Sequence, residues 1–308
     1  MFFTSKTIGL DLCQEGARIV LISGKRNQPQ LDEFRIATFP AETVKISIRE
    51  PNVINQGAFV ATIRENYLQL LTGIKKVAVS IPDAAGRIVL VDLETRFKNK
   101  KEGADIIRWK LKKSFPFNVN DMHLDYQVIQ EKETGEVEVL VSLISRQVII
   151  QYEDLLGEAG LEPNRIDFTT FNLYRLFAPR LELVENVAFV ASFGGMFSIL
   201  VFTGGILTFY RSKELPGGGQ DAARLFREIN SSFLVFQDKH PGHEISEVYC
   251  LCAREDAEAL TAVVGDATGC DPLLLDADRS IARRSSLVGD HAVTHLLNAA
   301  IGAATRNL

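Results

Sequence analysis

The chain has 308 residues, 34 of them Lys or Arg and 39 Asp or Glu, for a formal net charge of −5. At roughly 150 residues per domain this length suggests two domains, with a core large enough to need no cross-links. The acidic balance argues against a dedicated nucleic-acid binder, and four cysteines (Cys13, Cys250, Cys252, Cys270) are too few for a disulfide scaffold.

At the start, MFFTSKTIGLDL lacks the long apolar run and small-residue cleavage site of a signal peptide, so the expected compartment is the cytoplasm. TIGLDL, RIVLI and LDEFRIATFP then read as three strands separated by turns at CQEGA and SGKRNQPQ. Phe59, Ile63, Tyr67 and Leu70 recur at helical spacing after Gly57. A separate block follows: a strand at 77–81, IVLVDL, a helix carrying Trp109, then HLDYQVI and EVEVLVSLIS joined by a turn at Glu133-Thr134-Gly135-Glu136. Strands and a helix in that order describe an α+β insert. Ile149, Tyr152, Leu155, Leu156 and Ala159 form the next helical stripe, closed by Gly160 with Pro163 beyond.

From Val187 to Tyr210 no residue is charged, a length that could cross a bilayer as a helix. Gly194-Gly195, Gly204-Gly205 and a composition rich in Phe, Val, Ile and Thr favour a β-meander instead. Its strands are apolar on both faces, as in the middle of a sheet covered by helices on each side. Next, Pro216-Gly217-Gly218-Gly219-Gln220-Asp221 opens a helix with Ala222, Leu225, Phe226, Ile229, Phe233 and Phe236 as its apolar stripe, and Asn230 and two serines opposite. A last helix carries Val293, Leu296, Leu297 and Ala300.

Two strand-hairpin-strand-hairpin-strand units, opening at Thr7 and Val187, share one grammar. Their separation is far beyond the ~20 to 50 residues of a solenoid repeat, so the chain reads as a duplicated α/β domain.

The insert carries the most specific pattern: Ile107-Arg108-Trp109-Lys110-Leu111-Lys112-Lys113-Ser114-Phe115-Pro116-Phe117, then Leu124-Asp125-Tyr126-Gln127-Val128. With Leu156-Gly157-Glu158-Ala159-Gly160-Leu161-Glu162-Pro163, it resembles the PilM family of type IV pilus assembly proteins, relatives of FtsA in the actin-like ATPase superfamily. The resemblance implies duplicated actin-like (ribonuclease H-like) domains with an α+β insert in the first half. The first subdomain would comprise 1–82 and 166–184, the insert 83–165, and the second half 185–308. The second half would hold a smaller insert at about 217–247 and a C-terminal helix packing back toward the first half. It further implies a non-catalytic scaffold of a type IV pilus, or related type II secretion, inner-membrane platform. Such a scaffold binds the cytoplasmic tail of a bitopic PilN-like protein in a groove between the first subdomain and the insert. Other platform components would be further partners, and the protein would be peripheral at the inner membrane only through them. The alternatives are an active ATP-binding kinase or ATPase of the superfamily and an FtsA-like polymer.

In that superfamily the first hairpin of each half wraps the nucleotide phosphates, and an Asp beside each positions the metal. Here the first hairpin keeps Asp11 and Gly16, but Cys13, Gln14 and Glu15 replace the family's Gly and hydroxyls. At the second, Gly194, Gly195 and Ser198 remain, while Ala191 stands for the Asp, Phe193 for a Gly, and Met196 and Phe197 for hydroxyls. In the adenine loop Cys252 and Ala253 replace two glycines; only Gly217, Gly218 and Gly219 keep the family's form. These residues outline a vestigial nucleotide site. No cofactor and no significant ATP hydrolysis are expected, with Mg-ATP as the ligand to test.

Four further patterns invite a site. Gly217-x-Gly219-x-x-Ala222 with Asp238 matches a dinucleotide fingerprint, but it follows a hairpin strand rather than opening a βαβ unit. Cys250-x-Cys252 and His291-x-x-x-His295 could offer four zinc ligands, against buried cysteines beside a solvated helix. His240-Pro241-Gly242-His243 reads as an exposed turn. Lys98, Lys100, Lys101, Arg108, Lys110, Lys112 and Lys113 cluster around Trp109; nucleic acid or anionic lipid is the sharp reading, a solvated face with snorkelling lysines the favoured one. Trp109, Phe115 and Phe117 are expected to serve core packing.

Overall fold

A computed structural model describes residues 5–25, 28–215, 222–284 and 291–308. The first meander is β1 (Lys6–Leu12), β2 (Gly16–Lys25) and β3 (Gln28–Thr38), followed by α1 (Gln56–Leu68) and β4 (Lys76–Ile81). The insert contributes β5 (Gly86–Leu93), α2 (Lys100–Leu111), β6 (Met122–Glu131) and β7 (Val137–Ser145). After it come α3 (Arg146–Glu158), β8 (Glu162–Phe168) and α4 (Thr169–Leu181). The second half runs β9 (Val187–Phe193), β10 (Met196–Thr203), β11 (Ile206–Glu214), α5 (Ala222–Lys239), β12 (Glu247–Leu251), α6 (Ala257–Thr268), β13 (Leu273–Leu274), β14 (Ala282–Arg283) and α7 (His291–Thr305).

The duplication is visible in the strand order. One sheet is β14-β3-β2-β1-β4-β8 and another β11-β10-β9-β12-β13, so each half orders its strands third, second, first, fourth, fifth. In both, the meander is antiparallel and the last two strands run parallel to the first. Helix α1 makes the crossover in the first half and α5 the equivalent crossover in the second. Within 217–247 the described residues are α5 and the loop into β12.

Helices cover both faces of each sheet, which explains the uncharged second meander. Phe189 and Ala191 of β9 face the shared core under α4 and α7, while Ala188 and Val190 face α5 and α6. Gly194-Gly195 and Gly204-Gly205 both take positive φ at both positions, the two-residue primed turn that matches strand twist. On α5 the buried stripe is Leu225, Ile229, Phe233 and Phe236. Phe226 lies off the stripe and is exposed, whereas Ser232 sits on it, buried. The Ser232 hydroxyl is satisfied by donating to the Glu228 carbonyl one turn back.

Two further placements shape the surface. Helix α3 packs with α1 in the core of the first sheet, through Val148, Tyr152, Leu155 and Leu156. The insert's own core is therefore its three-stranded sheet, β5-β7-β6, and α2. Helix α7 returns to the first half: a Cβ at Gly9 of β1 would lie 1.9 Å from the Ala300 carbonyl oxygen, and one at Gly302 would lie 1.9 Å from that of Asn172 in α4. Thr7 donates to the Ala304 carbonyl at 3.0 Å along the same seam.

Candidate functional site

Ligands of open α/β sheets gather at the carboxyl ends of parallel strands, and here those ends carry a buried polar chain. Asp11, the penultimate residue of β1, lies opposite Arg18 of β2 and beside Ser80 of β4. Arg18 donates to Asp11 at 3.3 Å. Burial pushes the Asp11 carboxyl up to about 6 against the pull of Arg18 and Ser80. Ser80 lies 3.1 Å from the hydroxyl of Thr169, the first residue of α4. Asp83, just past β4, accepts from the Thr170 backbone at 3.2 Å and its hydroxyl at 2.8 Å. Burial raises Asp83 to about 7, opposed by the Thr170 hydrogen bonds and helped by the charge of Asp11.

These groups do not fit a magnesium-bound phosphate chain. The Asp11 carboxylate is only 2% exposed and faces a guanidinium. Gly16 is small because β3 is close, a Cβ there lying 1.9 Å from the Ala37 carbonyl oxygen. At the first turn, burial pushes the Cys13 thiol up to about 11, and it donates to the Gly16 carbonyl at 3.2 Å. At the second, Gly194 and Gly195 form a two-residue turn, with Phe193 paired directly to Met196. Phe193 packs on His295 of α7 with ring centroids 5.2 Å apart, and burial holds that imidazole down at about 4. Ser198 is buried in β10 opposite Ala191. A cavity of about 460 Å³ between the halves is lined by Asp83, Arg87, Met196 and Tyr210, and by none of Asp11, Gly16, Gly194, Gly195 or Ser198. Gly217, Gly218 and Gly219, and with them the dinucleotide fingerprint, lie outside the described residues.

Aromatic pairs weld the halves together near this cleft. Phe171 of α4 stacks on Tyr210 of β11 at 5.6 Å, and Tyr174 stacks on Phe202 of β10 at 5.0 Å.

A larger cavity, about 670 Å³, opens between the first half and the insert, within the range of ligand clefts. Its floor is the face of the insert sheet turned away from α2, with Ile88 of β5 and Leu140 and Ile144 of β7; Ile149 of α3, Phe168 of β8 and Phe171 of α4 close the other side. Four arginines (Arg146, Arg165, Arg175, Arg306) and three carboxylates (Asp125, Glu153, Asp167) rim it. Asp167 is spoken for, by Arg175 at 3.5 Å and by Arg306. Both β6 and β8 are terminal strands of their sheets, so each leaves an unpaired edge beside the groove.

The family model for the type IV pilus assembly protein PilM matches residues 9–233. The chain belongs to that family. No curated protein matches it in sequence. Among solved structures, a PilM–PilN type IV pilus biogenesis complex aligns with TM-score 0.82 and 17% identity, covering 97% of this chain and 98% of the other. A Bacteroides thetaiotaomicron protein with an actin-like ATPase fold aligns with TM-score 0.54, at 12% identity and 96% coverage of each chain. The cytoplasmic domain of EpsL, from the type II secretion system of Vibrio cholerae, aligns with TM-score 0.53, at 12% identity and 96% and 95% coverage. At these identities the likenesses establish the actin-like fold.

The remaining candidates of this PilM-family chain fall in structural places. Cys250 of β12 and Cys252 just past it are buried in the core under α5 and α6, and burial pushes both thiols up, Cys252 to about 12. His291 lies 3.5 Å from Asp276 while His295 turns to Phe193. Among the described residues no group of three or more His, Cys, Asp or Glu side chains could hold a metal ion. Phe115 and Phe117 are half-buried and stack on each other at 5.0 Å. Trp109 departs from its expected place: Ile107 and Leu111 face the insert core one helical turn apart, which turns Trp109 outward, 80% exposed. Arg18, Ser80, Asp83 and Thr170 escape the sequence reading. A carboxylate directly after an apolar strand, as in Ile81-Pro82-Asp83, is the signal that could have found Asp83.

Proposed function

We propose that this PilM-family chain is a non-catalytic scaffold of a type IV pilus assembly platform, and that its groove between first half and insert holds the cytoplasmic tail of a PilN-like bitopic inner-membrane protein. The groove itself carries the reading. An extended tail would lay apolar side chains on Ile88, Leu140, Ile144 and Phe171, while its backbone adds to the free edge of β6 or β8. Arg146 and Arg165 on the rim favour a tail with an acidic residue.

No described helix is long and apolar enough to cross a membrane. Position under the inner membrane, on the cytoplasmic side, would then come through partners, other platform components among them. The Arg18-bound Asp11, with Ala191 and Phe193 at the second hairpin, supports a scaffold that does not hydrolyse ATP.

Isothermal titration with a synthetic tail of the host's PilN-like protein tests the first claim. Saturable binding that weakens at least tenfold in R146E/R165E is expected; no binding by the wild type would overturn it. In parallel, a micromolar isotherm with Mg-ATP would overturn the vestigial-site reading, and steady phosphate release from Mg-ATP would overturn the non-catalytic half.

A further inference from the structure

Trp109 is the single tryptophan of the chain, and it stands on the outer face of α2. Exposed lysines lie around it, Lys110 and, just past the helix, Lys112 and Lys113, with Lys98, Lys100 and Lys101 at the other end; the one acid a turn before it on the same face, Asp105, is matched by Arg108 at 3.7 Å. Lys100 is matched by Asp125 at 2.8 Å, Lys110 reaches the Asp92 carbonyl and Glu102 accepts from the Lys98 backbone at 2.6 Å, but among the described residues no carboxylate forms an ion pair with the side chains of Lys101, Lys112 or Lys113. A basic patch on a protein of net charge −5 is a local inversion of sign, and it coincides with an exposed indole. The face is also convex, the far side of a helix whose buried residues are Gly103, Ile107 and Leu111, so it offers no groove for a side chain or a base.

We propose that this face of the insert, Trp109 with Lys110, Lys112 and Lys113, rests on an anionic lipid surface. Indole rings settle at the headgroup level of bilayers, where one edge is apolar and the other wet. Lysines beside them gain from the negative surface potential, and their stems cover apolar surface while the ammonium groups stay hydrated. A flat, negatively charged, partly apolar surface complements this face in both charge and shape. Helix α2 and the groove lie on opposite faces of the insert sheet, so lipid contact through α2 would leave the groove on the side turned away from the bilayer and open to a tail. The contact is independent of the tail reading, since protein-free vesicles suffice to test it.

Trp109 emission reports the contact without a label, because no other tryptophan contributes. The full-length chain is titrated with phosphatidylcholine vesicles containing phosphatidylglycerol, then with phosphatidylcholine alone. A blue shift with the anionic vesicles only, reversed by high salt, is expected. K112Q/K113Q, which leaves the groove untouched, should partition about twenty-five-fold more weakly, at about fivefold for each lysine removed. R146E/R165E should shift like the wild type, which separates this face from the groove. Cosedimentation of W109A, with circular dichroism confirming its fold, should fall as well. No shift with anionic vesicles, an equal shift with neutral ones, or wild-type partitioning by K112Q/K113Q would overturn the proposal. So would a response of Trp109 to a duplex oligonucleotide or the partner's cytoplasmic tail but not to vesicles.

Discussion

Arg18 reaches across the first hairpin to Asp11, its register partner, and closes on the carboxylate at 3.3 Å. The acid that an actin-like ATPase would keep for its metal is thereby neutralised within the protein. Removing one partner of a buried ion pair strands the other charge, at a cost of about 3 kcal/mol or more. R18M is expected to lose about that much in urea unfolding, and D11N/R18M to recover part of it. An R18M variant as stable as the wild type would show that Asp11 is held by something else.

Asp83 and Asp11 give stability an unusual pH dependence. An unfolded Asp releases its proton near 3.8, whereas the folded protein holds those of Asp11 and Asp83 to about 6 and about 7. Over that window the folded state binds more protons, so these two groups make stability fall as pH rises. His295 works the other way, its folded value of about 4 lying below the ordinary 6.5, and costs stability as pH falls through that range. D83N isolates the first effect. Its stability relative to wild type should grow from pH 5 to pH 7, read as the difference in urea midpoint, and a constant difference would refute the assignment.

Glycines at the α7 seam are expected to tolerate nothing larger. G302A drives a methyl into the Asn172 carbonyl and should cost about 3 kcal/mol, the upper range for overpacking, read as a lowered Tm. G57A, with only the Asn55 side chain near it, serves as the control and should be close to neutral.

Returning the lost acid should not return the nucleotide. Residue 191 is buried beside Ser198, with Phe193 and the two-residue turn beyond it. A191D places an unpaired carboxylate there, so calorimetry with Mg-ATP should stay flat while Tm drops. An isotherm gained with this one substitution would mean that the second hairpin still cradles phosphate.

The fold was largely legible because its signals are local and repeated. Uncharged runs broken by Gly-Gly pairs could only be central strands with primed turns, and the second copy of the pattern at Val187 exposed the duplication. The stripe on α1, with Phe59 and Ile63 in the core, was equally plain. The size of Trp109 suggests burial, but Ile107 and Leu111 already fill the core-facing positions of α2 and leave it outside. The polar chain from Arg18 to Asp83 was hidden because it joins β2, β1, β4 and α4, whose adjacency comes from pairing rather than spacing. The groove was expected between the first subdomain and the insert from the family resemblance alone, and its lining was hidden for the same reason: its floor lies in the insert and its wall in α3, β8 and α4.

Amide hydrogen exchange with and without the PilN-like tail tests the central claim most directly, since it locates the contact as well as detecting it. Exchange is expected to slow at the β6 and β8 edges, 122–131 and 162–168, with the hairpin tips at 13–16 and 194–195 unchanged. Protection confined to those hairpins, or no protection at either strand edge, would contradict it.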